Sequence, residues 1–275
     1  MVILQANAVS FRYDQAQDVV TGVDFAAEAG EVICVLGPNG AGKSTLLRIL
    51  AGLLSPRTGS VELSGEPVTR FSAKARAREI ALVPQALYSL PDLTVRDFVS
   101  QGRYAYRTLF RPENAADRGA VEQALVEADL LPLDARPMNA LSGGQRQRAL
   151  VARALAQEPR IVLVDEPTNS LDPRHQVQVF RVIAGLGCAG RAAVVVTHDL
   201  NLASQFASRI VLMDGGHVVA NGSVHEVLKP EVLKPVYGDD LAFGQMHVSG
   251  WNEKRPFVLP WQQDESLRRG PTSSP

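Results

Sequence analysis

The stretch "VICVLGPNGAGKST" at residues 32–45 restricts the possible folds of this chain more than any other feature. Its leading apolar residues predict a buried strand, and a helix is predicted from Ser44 to Leu50. The loop between them places Gly37, Gly42 and Lys43 in the spacing G-x4-G-K-S. Glycines let backbone N–H groups turn inward around phosphate oxygens, and a helix N-terminus adds partial positive charge. We therefore predict a phosphate-binding loop in an α/β protein.

Two side chains at the end of this loop extend the prediction to a nucleotide and a metal ion. The Lys43 ammonium reaches β- and γ-phosphates in such loops, and the Ser44 hydroxyl binds Mg²⁺. A glycine-rich turn with an incidental lysine is the alternative. The full spacing and the flanking strand and helix argue against it.

Two acidic residues end the apolar strand of "IVLVDEP". Asp165 lies at the carboxyl end, where ligands bind in open α/β sheets, and is predicted to hold Mg²⁺ through water. Glu166 is predicted to be the general base for an attacking water. A strand end capped by solvated carboxylates is the alternative, and the phosphate loop upstream argues against it.

Three further residues are candidates for the site because of where they lie relative to the predicted strands. His198 follows the apolar run of "AAVVVTHD" and should emerge at the same sheet edge as Asp165, within reach of a γ-phosphate. Gln85 ends the apolar run of "IALVPQ". Tyr13 lies on an early strand, where an aromatic ring either stacks on adenine or packs in the core. The other histidines have no ligand spacing and are assigned no chemistry: His175, His217, His225 and His247.

The order of elements is typical of a parallel sheet with right-handed crossovers. Short strands are predicted in "RIVLVDEP", "RAAVVVTHD" and "RIVLMDGG", separated by helices in "HQVQVFRVIAGLG" and "NLASQFA". Strands and turns dominate residues 1–65, and helical patterns dominate 86–158. We predict an α/β core at 1–85 and 159–240 with a helical insertion at about 86–158. An extension at 241–261 and a polar, disordered tail at 262–275 follow.

Composition excludes several classes of function. The 275 residues are 45% hydrophobic and carry a net charge of -1, which gives no electrostatic case for nucleic acid or an anionic membrane. Cys34 and Cys188 are far apart, which favours reduced thiols over a disulfide framework. The N-terminus lacks a signal-peptide pattern, and no apolar run approaches the roughly 20 residues that span a bilayer. The chain is predicted to be soluble, or to sit at a membrane only through a partner.

A second anion site, without a lysine of its own, is indicated by "ALSGGQRQRALVARAL" at 140–155. Ser142 is a good N-cap, and Gly143 and Gly144 leave N–H groups of the first helical turn open. The helix should end near Glu158, because Pro159 follows. An ordinary capped helix is the alternative. The apolar face is predicted to carry Leu150, Val151, Ala154 and Leu155, with Arg146, Arg148 and Arg153 elsewhere.

"LSGGQ" (141–145), a short step before "IVLVDEP" (161–167), resembles the signature motif of ABC-type ATPases. The resemblance covers about residues 2–240. It implies a P-loop NTPase (RecA-like) core with an antiparallel β subdomain and a helical subdomain insertion. The other motifs of that family occur in its order: Tyr13 resembles the A-loop aromatic, "GPNGAGKST" Walker A, Gln85 the Q-loop, "IVLVDEP" Walker B, "SLD" (170–172) the D-loop and His198 the switch histidine.

In that family two nucleotide-binding domains meet head to tail around two ATP molecules, and the resemblance implies the same pairing of two copies here, with Mg²⁺. The implied ATP-binding residues are Tyr13, Gly37, Pro38, Asn39, Gly40, Ala41, Gly42, Lys43, Ser44 and Thr45. The implied contacts to the partner copy's ATP are Ser142, Gly143, Gly144 and Gln145. The implied catalytic residues are Glu166, His198 and Gln85, with Asp172 in the D-loop and Ser44, Gln85 and Asp165 around Mg²⁺.

Longer segments resemble one branch of the family. "DLTVRDFVSQGR" and "EVLKPEVLKPVYG" resemble ATPase subunits of importers for iron–siderophore, haem or cobalamin, and "LSGGQRQRALVARALAQ" leans toward siderophore uptake. This implies two transmembrane permease subunits, indirectly a substrate-binding protein, and a peripheral place on the cytoplasmic face of the membrane. "GRYAYR" departs from the family at Ala105, where proline is common, so the substrate stays open and includes molybdate.

Two other functions are alternatives for this sequence. A soluble ABC-type ATPase acting on DNA or ribosomes fits less well, because the interval from Gln85 to Leu141 is too short for a coiled-coil arm and no basic tract occurs. No nucleic acid partner is therefore expected. A P-loop kinase is the second alternative, but such an enzyme does not require the motif "LSGGQ".

Overall fold

The strands of the computed structural model fall into three sheets. The model describes residues 1–14, 17–87, 89–107, 113–169, 171–247 and 253–261. Ser170 of the predicted D-loop and the predicted tail at 262–275 lie outside these ranges. The strands are β1 (Val2–Phe11), β2 (Val20–Glu28), β3 (Val32–Leu36), β4 (Thr58–Leu63), β5 (Glu66–Pro67), β6 (Ile80–Val83), β7 (Ile161–Asp165), β8 (Ala192–Val196), β9 (Arg209–Asp214), β10 (His217–Gly222), β11 (Leu241–Met246) and β12 (Arg255–Pro260).

Helices connect these strands and cover the largest sheet. They are α1 (Lys43–Leu50), α2 (Ala73–Glu79), α3 (Val95–Ser100), α4 (Ala115–Glu127), α5 (Gly143–Leu155), α6 (Pro173–Cys188), α7 (Leu200–Phe206), α8 (Val224–Val227) and α9 (Pro230–Tyr237). Within the described ranges, no helix combines the length and apolar character needed to cross a membrane.

The central sheet has the strand order β10-β9-β3-β8-β7-β6, and all its neighbours pair in parallel except β10 with β9. Every residue of β3 and of β8 is buried. Strands covered on both faces read as continuous apolar runs, and such runs located both strands in the sequence. Two apolar cores result, one on each side of this sheet.

The antiparallel sheet β2-β1-β4-β5 forms the wall of one of these cores. Ile3 and Val61 from it lie in one cluster with Leu46 of α1 and Val194 of β8. The other core takes side chains from α3 to α7, including Phe98 and Phe180. A parallel P-loop core with an antiparallel sheet on one side and helices on the other confirms the predicted fold class.

The carboxyl ends of three central strands lie side by side. Val35 of β3 pairs with Val196 of β8, and Asp165 of β7 pairs with the same Val196. The glycine-rich loop, Asp165 and the segment leading to His198 therefore all leave the sheet at one edge, as the strand order requires.

Helices α3, α4 and α5 fall within the helical stretch expected at 86–158. Its extent as a separate subdomain stays a prediction. Helix α5 ends at Leu155, earlier than the expected Glu158, because the chain turns there and Glu158 takes a left-handed φ of 51°. Arg148 was expected away from the buried face, but it is only 6% exposed. Its guanidinium instead donates to the Ala128 and Asp129 carbonyls at 3.1 and 3.0 Å.

The C-terminal extension forms an antiparallel pair of strands, β11 with β12, and neither strand was predicted from the sequence. Asn201 of α7 fixes it to the core: its amide donates to the Val258 carbonyl and its oxygen accepts the Val258 N–H, both at 2.9 Å. Ser204 of the same helix donates to the Pro256 carbonyl.

Candidate active site

The loop between β3 and α1 requires glycine at two points where backbone approaches it closely. A Cβ on Gly37, whose φ is 148°, would lie 2.2 Å from the Met213 carbonyl oxygen. A Cβ on Gly42, whose φ is 92°, would lie 2.4 Å from the Val19 carbonyl oxygen. No side chain fits at either point. The loop forms a cavity of about 190 Å³, lined by Val19, Asn39, Gly40, Ala41, Gly42, Lys43, Ser44, Thr45 and Glu166.

Lys43 lies folded inside this loop. Only 5% of the residue is exposed, and Nζ donates to the carbonyl oxygens of Gly37 at 2.8 Å and Pro38 at 2.9 Å. Burial lowers the pKa of the ammonium, and the carboxylates of Glu166 and Asp165 partly offset this. The ammonium is thus held by two backbone acceptors beside the cavity, where an anion would meet it.

Ser44 and Asp165 form a pair of oxygen ligands at the sheet edge. The Ser44 hydroxyl donates to Oδ1 of Asp165 at 2.8 Å. One residue belongs to the first turn of α1 and the other ends β7, so the strand order brings together side chains 121 positions apart. Hydroxyl and carboxylate oxygens are the ligands that Mg²⁺ prefers, so this pair fits the predicted metal.

Glu166 has a strained backbone and an oriented carboxylate. Its φ is 42°, and its N–H donates to the Val196 carbonyl at 2.9 Å. Such a conformation costs a non-glycine residue about 1–3 kcal/mol and is typical of functional sites. Oε2 accepts from Nε2 of Gln85 at 3.1 Å and from Nδ2 of Asn169 at 3.4 Å. The geometry therefore brings Gln85 to Glu166.

Asn169 was not among the residues predicted from the sequence. It closes a turn on Glu166, since its N–H also donates to the Glu166 carbonyl at 3.4 Å. Its place three residues after a strand-end carboxylate, in "EPTN", was the available signal.

Two predicted residues lie at the rim without direct contact to these carboxylates. His198 follows β8 at the same edge and is exposed. The hydrogen bonds of the described residues include none from its ring to Asp165 or Glu166. Tyr13 is 41% exposed, packs edge-on against Phe11 with 4.9 Å between ring centroids, and has its hydroxyl 3.4 Å from Oγ1 of Thr45.

The stretch Ser142–Gln145, here called the signature turn, forms a reciprocal cap at the start of α5. Oγ of Ser142 accepts the Gln145 N–H at 3.3 Å, and Oε1 of Gln145 accepts the Ser142 N–H at 2.9 Å. The N–H groups of Gly143 and Gly144 have no acceptor within a helix, because they belong to its first turn. None of these four residues lines the phosphate-loop cavity. The structure thus holds the signature turn apart from the chain's own phosphate loop.

A model of the "ABC transporter" family matches residues 20–169, from β2 through the turn after Glu166. The chain belongs to the ABC transporter family. The matched segment contains the phosphate loop, the signature turn and the two strand-end carboxylates.

Among curated ABC transporter proteins, the hemin import ATP-binding protein of Nocardia farcinica is 42% identical over 81% of this chain and 76% of its own length. The achromobactin transport ATP-binding protein of Dickeya dadantii is 39% identical over 82% of this chain and 84% of its own length. Both relatives are ATP-binding subunits of transport systems. The present chain is accordingly an ATP-binding protein and an ATPase.

Solved ABC transporter structures share the fold over nearly the whole chain. A structure described as a metal-chelate type ABC transporter in an inward-facing conformation has a TM-score of 0.81 and 28% identity, and covers 95% of this chain and 98% of that one. The dimeric structure of a bacterial ABC transporter cassette has a TM-score of 0.71 and 30% identity, and covers 81% of this chain and 99% of that one.

Proposed function

We propose that this chain is the ATP-hydrolysing motor of an importer for ferric siderophores. The observation that carries the motor role is the arrangement at the sheet edge. Gln85 donates a hydrogen bond to the Glu166 carboxylate beside the phosphate loop. Ser44 donates a hydrogen bond to Asp165 next to it. These groups supply a base, a metal-ligand pair and a phosphate cradle within one continuous site.

In this proposal ATP lies on the phosphate loop with its adenine toward Tyr13, which is 41% exposed. The loop from Gly37 to Thr45 surrounds the phosphates with the backbone N–H groups of its residues other than Pro38, and Lys43 exchanges its carbonyl acceptors for phosphate oxygens. Ser44 and Asp165 would hold Mg²⁺, with Gln85 as a further ligand. Bound there, Mg²⁺ would neutralise part of the phosphate charge.

In the hydrolytic step Glu166 acts as the general base. Its carboxylate accepts a proton from the attacking water while that water's oxygen bonds to the γ-phosphorus and the bond to the ADP oxygen breaks. Gln85 and Asn169 orient the carboxylate. His198, exposed at the same edge, would contact the γ-phosphate once nucleotide is bound.

The signature turn supports an ATP-dependent dimer of two copies. It has open N–H groups and no lysine, and it does not line its own chain's phosphate cavity. We therefore assign Ser142, Gly143, Gly144 and Gln145 to the γ-phosphate of the partner copy's ATP, with Asp172 beside them. In the closed pair, ATP bridges the phosphate loop of one copy and the signature turn of the other. Hydrolysis removes this bridge, so the pair reopens. The dimeric structure of a related cassette supports this assembly.

The motor would act on two permease subunits at the cytoplasmic face of the membrane, with a substrate-binding protein on the other side. Gln85 and Asp165 both line a second cavity of about 180 Å³, together with Arg48, Leu82, Pro84, Ala86 and Leu87. The achromobactin relative supports a siderophore, and the hemin relative makes haem the second candidate.

Growth of a strain that lacks this chain tests the substrate. Iron supplied as ferric siderophore should fail to support growth, whereas free ferrous iron should succeed, and a plasmid copy should restore siderophore use. The Glu166→Gln variant on the plasmid is the matched control and should restore nothing. Normal growth on ferric siderophores with failure on haem would reject the siderophore and leave the motor role intact.

A further inference from the structure

The signature turn packs against the first turn of α6 within the same chain. A Cβ built on Gly144 would lie 2.8 Å from both Cγ and Cδ2 of His175, and 2.9 Å from its Cβ. A Cβ on Gly143 would lie 3.4 Å from Cδ2 of Leu171. The imidazole ring therefore occupies the space that any side chain at position 144 would need.

This contact gives a reason for glycine at position 144. Gly144 is buried, and its φ lies outside the left-handed region, so its backbone conformation alone does not require glycine. Glycine inside a helix is about 1 kcal/mol less favourable than alanine. The close approach of the His175 ring accounts for that unfavourable choice at the start of α5.

His175 is in turn fixed by Asp172, the N-cap of α6. Oδ1 of Asp172 accepts the His175 N–H at 3.1 Å, and Oδ2 lies 2.5 Å from Nδ1 of the ring. The ring hydrogen bond and the backbone N–H groups hold the pKa of Asp172 below its usual range. Nδ1 and Cδ2 lie on opposite sides of the ring, so one imidazole contacts Asp172 on one side and Gly144 on the other.

We propose that His175 is a positioning residue that sets the distance between the signature turn and Asp172. The inference rests on the proposed function, in which both segments face the second copy and its ATP. His175 itself is not among the residues that line its own chain's phosphate-loop cavity. It acts by holding two loops in one arrangement before the partner arrives.

Removal of the ring leaves a gap beneath the signature turn and takes a donor from Asp172. The open N–H groups of Gly143 and Gly144 then have to be ordered when the dimer closes, and that ordering opposes association. ATP binding by the chain's own phosphate loop does not use these groups. The expected defect is therefore in dimer closure and not in the binding of ATP to the monomer.

Dimerisation in the Glu166→Gln background tests this, with the dimer fraction measured by sedimentation velocity against ATP concentration. E166Q/H175A should need about tenfold more ATP than E166Q, the scale of a lost charged hydrogen bond. E166Q/H175F keeps a ring against Gly144 without the hydrogen bond and should lie between them. E166Q/H217A is the matched control, because His217 is an exposed histidine on β10, and it should behave as E166Q does.

The monomer separates this role from a general loss of structure. H175A and H175F should keep the wild-type affinity for ATP, measured with a fluorescent nucleotide at low protein concentration. Equal ATP dependence of dimerisation in E166Q, E166Q/H175A and E166Q/H175F would overturn the proposal. A parallel loss of ATP affinity in the monomer would overturn it as well. Failure of E166Q itself to dimerise would reject the proposed function instead.

Discussion

At the level of single residues, the proposed hydrolysis of ATP depends most on Glu166. Its carboxylate is held by Gln85 and Asn169 on a strained backbone, which fits a base that must face one water. Glu166→Gln keeps the size and hydrogen bonding but cannot take a proton. We expect kcat to fall at least about 100-fold with ATP binding retained. Phosphate release at saturating ATP checks this, and turnover near the wild-type rate would reject Glu166 as the base.

Replacement of Lys43 is expected to affect the binding of ATP and not its turnover. Its buried ammonium donates to two loop carbonyls and is the cation nearest the phosphate cavity. Lys43→Ala should weaken ATP binding by about 10- to 100-fold, since a charged hydrogen bond is worth roughly 1.5–3 kcal/mol. Titration with a fluorescent ATP analogue measures this. Lys74→Ala, which removes a lysine on the remote helix α2, is the control, and an unchanged affinity in Lys43→Ala would contradict the cradle.

Motif residues could be placed from the sequence because each ends a buried strand or begins a helix. The contacts of Asn169 and His175 could not be predicted in this way. Asn169 lies in the turn after Glu166 and His175 in the first turn of α6, and their contacts depend on how these turns pack against the motifs. A histidine that packs on a glycine has no spacing signature. The position of Arg148 was wrong for a related reason: long cationic side chains become buried where carbonyls at a helix end accept their N–H groups.

At the level of elements, a buried ion pair connects separate parts of the helical stretch at 86–158. Arg103 is 3% exposed and donates to Asp117 at 3.0 Å, to Glu158 at 2.7 Å and to the Ala156 carbonyl at 2.9 Å. The ring of Tyr106 lies 3.8 Å from its guanidinium. One side chain thus connects α4 with the turn that leads into β7.

Arg103→Met should cost about 3 kcal/mol of unfolding free energy, because it leaves the Asp117 carboxylate buried without its partner. Arg96→Met is the matched control, since its pair with Asp134 is 42% and 28% exposed and worth about 0–1 kcal/mol. Urea unfolding followed by circular dichroism compares the two. Equal stability of both variants would contradict a structural role for the buried pair.

The same pair predicts a pH dependence. Burial opposes ionisation of Asp117, but the hydrogen bond from Arg103 and the Asn114 N–H outweigh it and hold its pKa below the ordinary 3.8. A lowered folded-state pKa contributes stability above the unfolded-state value, and that stability is lost as the pH falls below it. The unfolding free energy of Asp117→Asn should therefore be less sensitive than wild type to acid below about pH 4. Identical acid sensitivity in both proteins would contradict the shift.

Elements with a strong pattern were predictable, whereas the C-terminal hairpin was not. The all-buried strands β3 and β8 stand out as apolar runs between polar turns. In β11 no residue is fully buried, and the sequence of β12, RPFVLP, is an apolar run after one arginine, so neither strand shows an alternation of apolar and polar residues. The attachment of β12 to the core uses Asn201 and Ser204 of α7, which no local pattern reveals.

At the level of the whole molecule, the central claim is that each ATP site is built from two copies. We propose that the phosphate loop and the carboxylates come from one chain and the signature turn from the other. This explains why one chain carries a second anion-binding turn without a lysine, held outside its own phosphate cavity. It also makes the site incomplete in any monomer.

Mixing two inactive variants tests that claim most directly. Lys43→Ala disables the phosphate loop, and Ser142→Arg blocks the signature turn. In a mixed dimer both defects fall in one site and the other stays intact. ATPase activity in an equal mixture should recover to at most about a quarter of wild type, since about half of random pairs are mixed and each has one intact site. Lys43→Ala mixed with Glu166→Gln, both on the same side of the site, should recover none. Absence of recovery in the first mixture, with both proteins folded, would contradict the shared site.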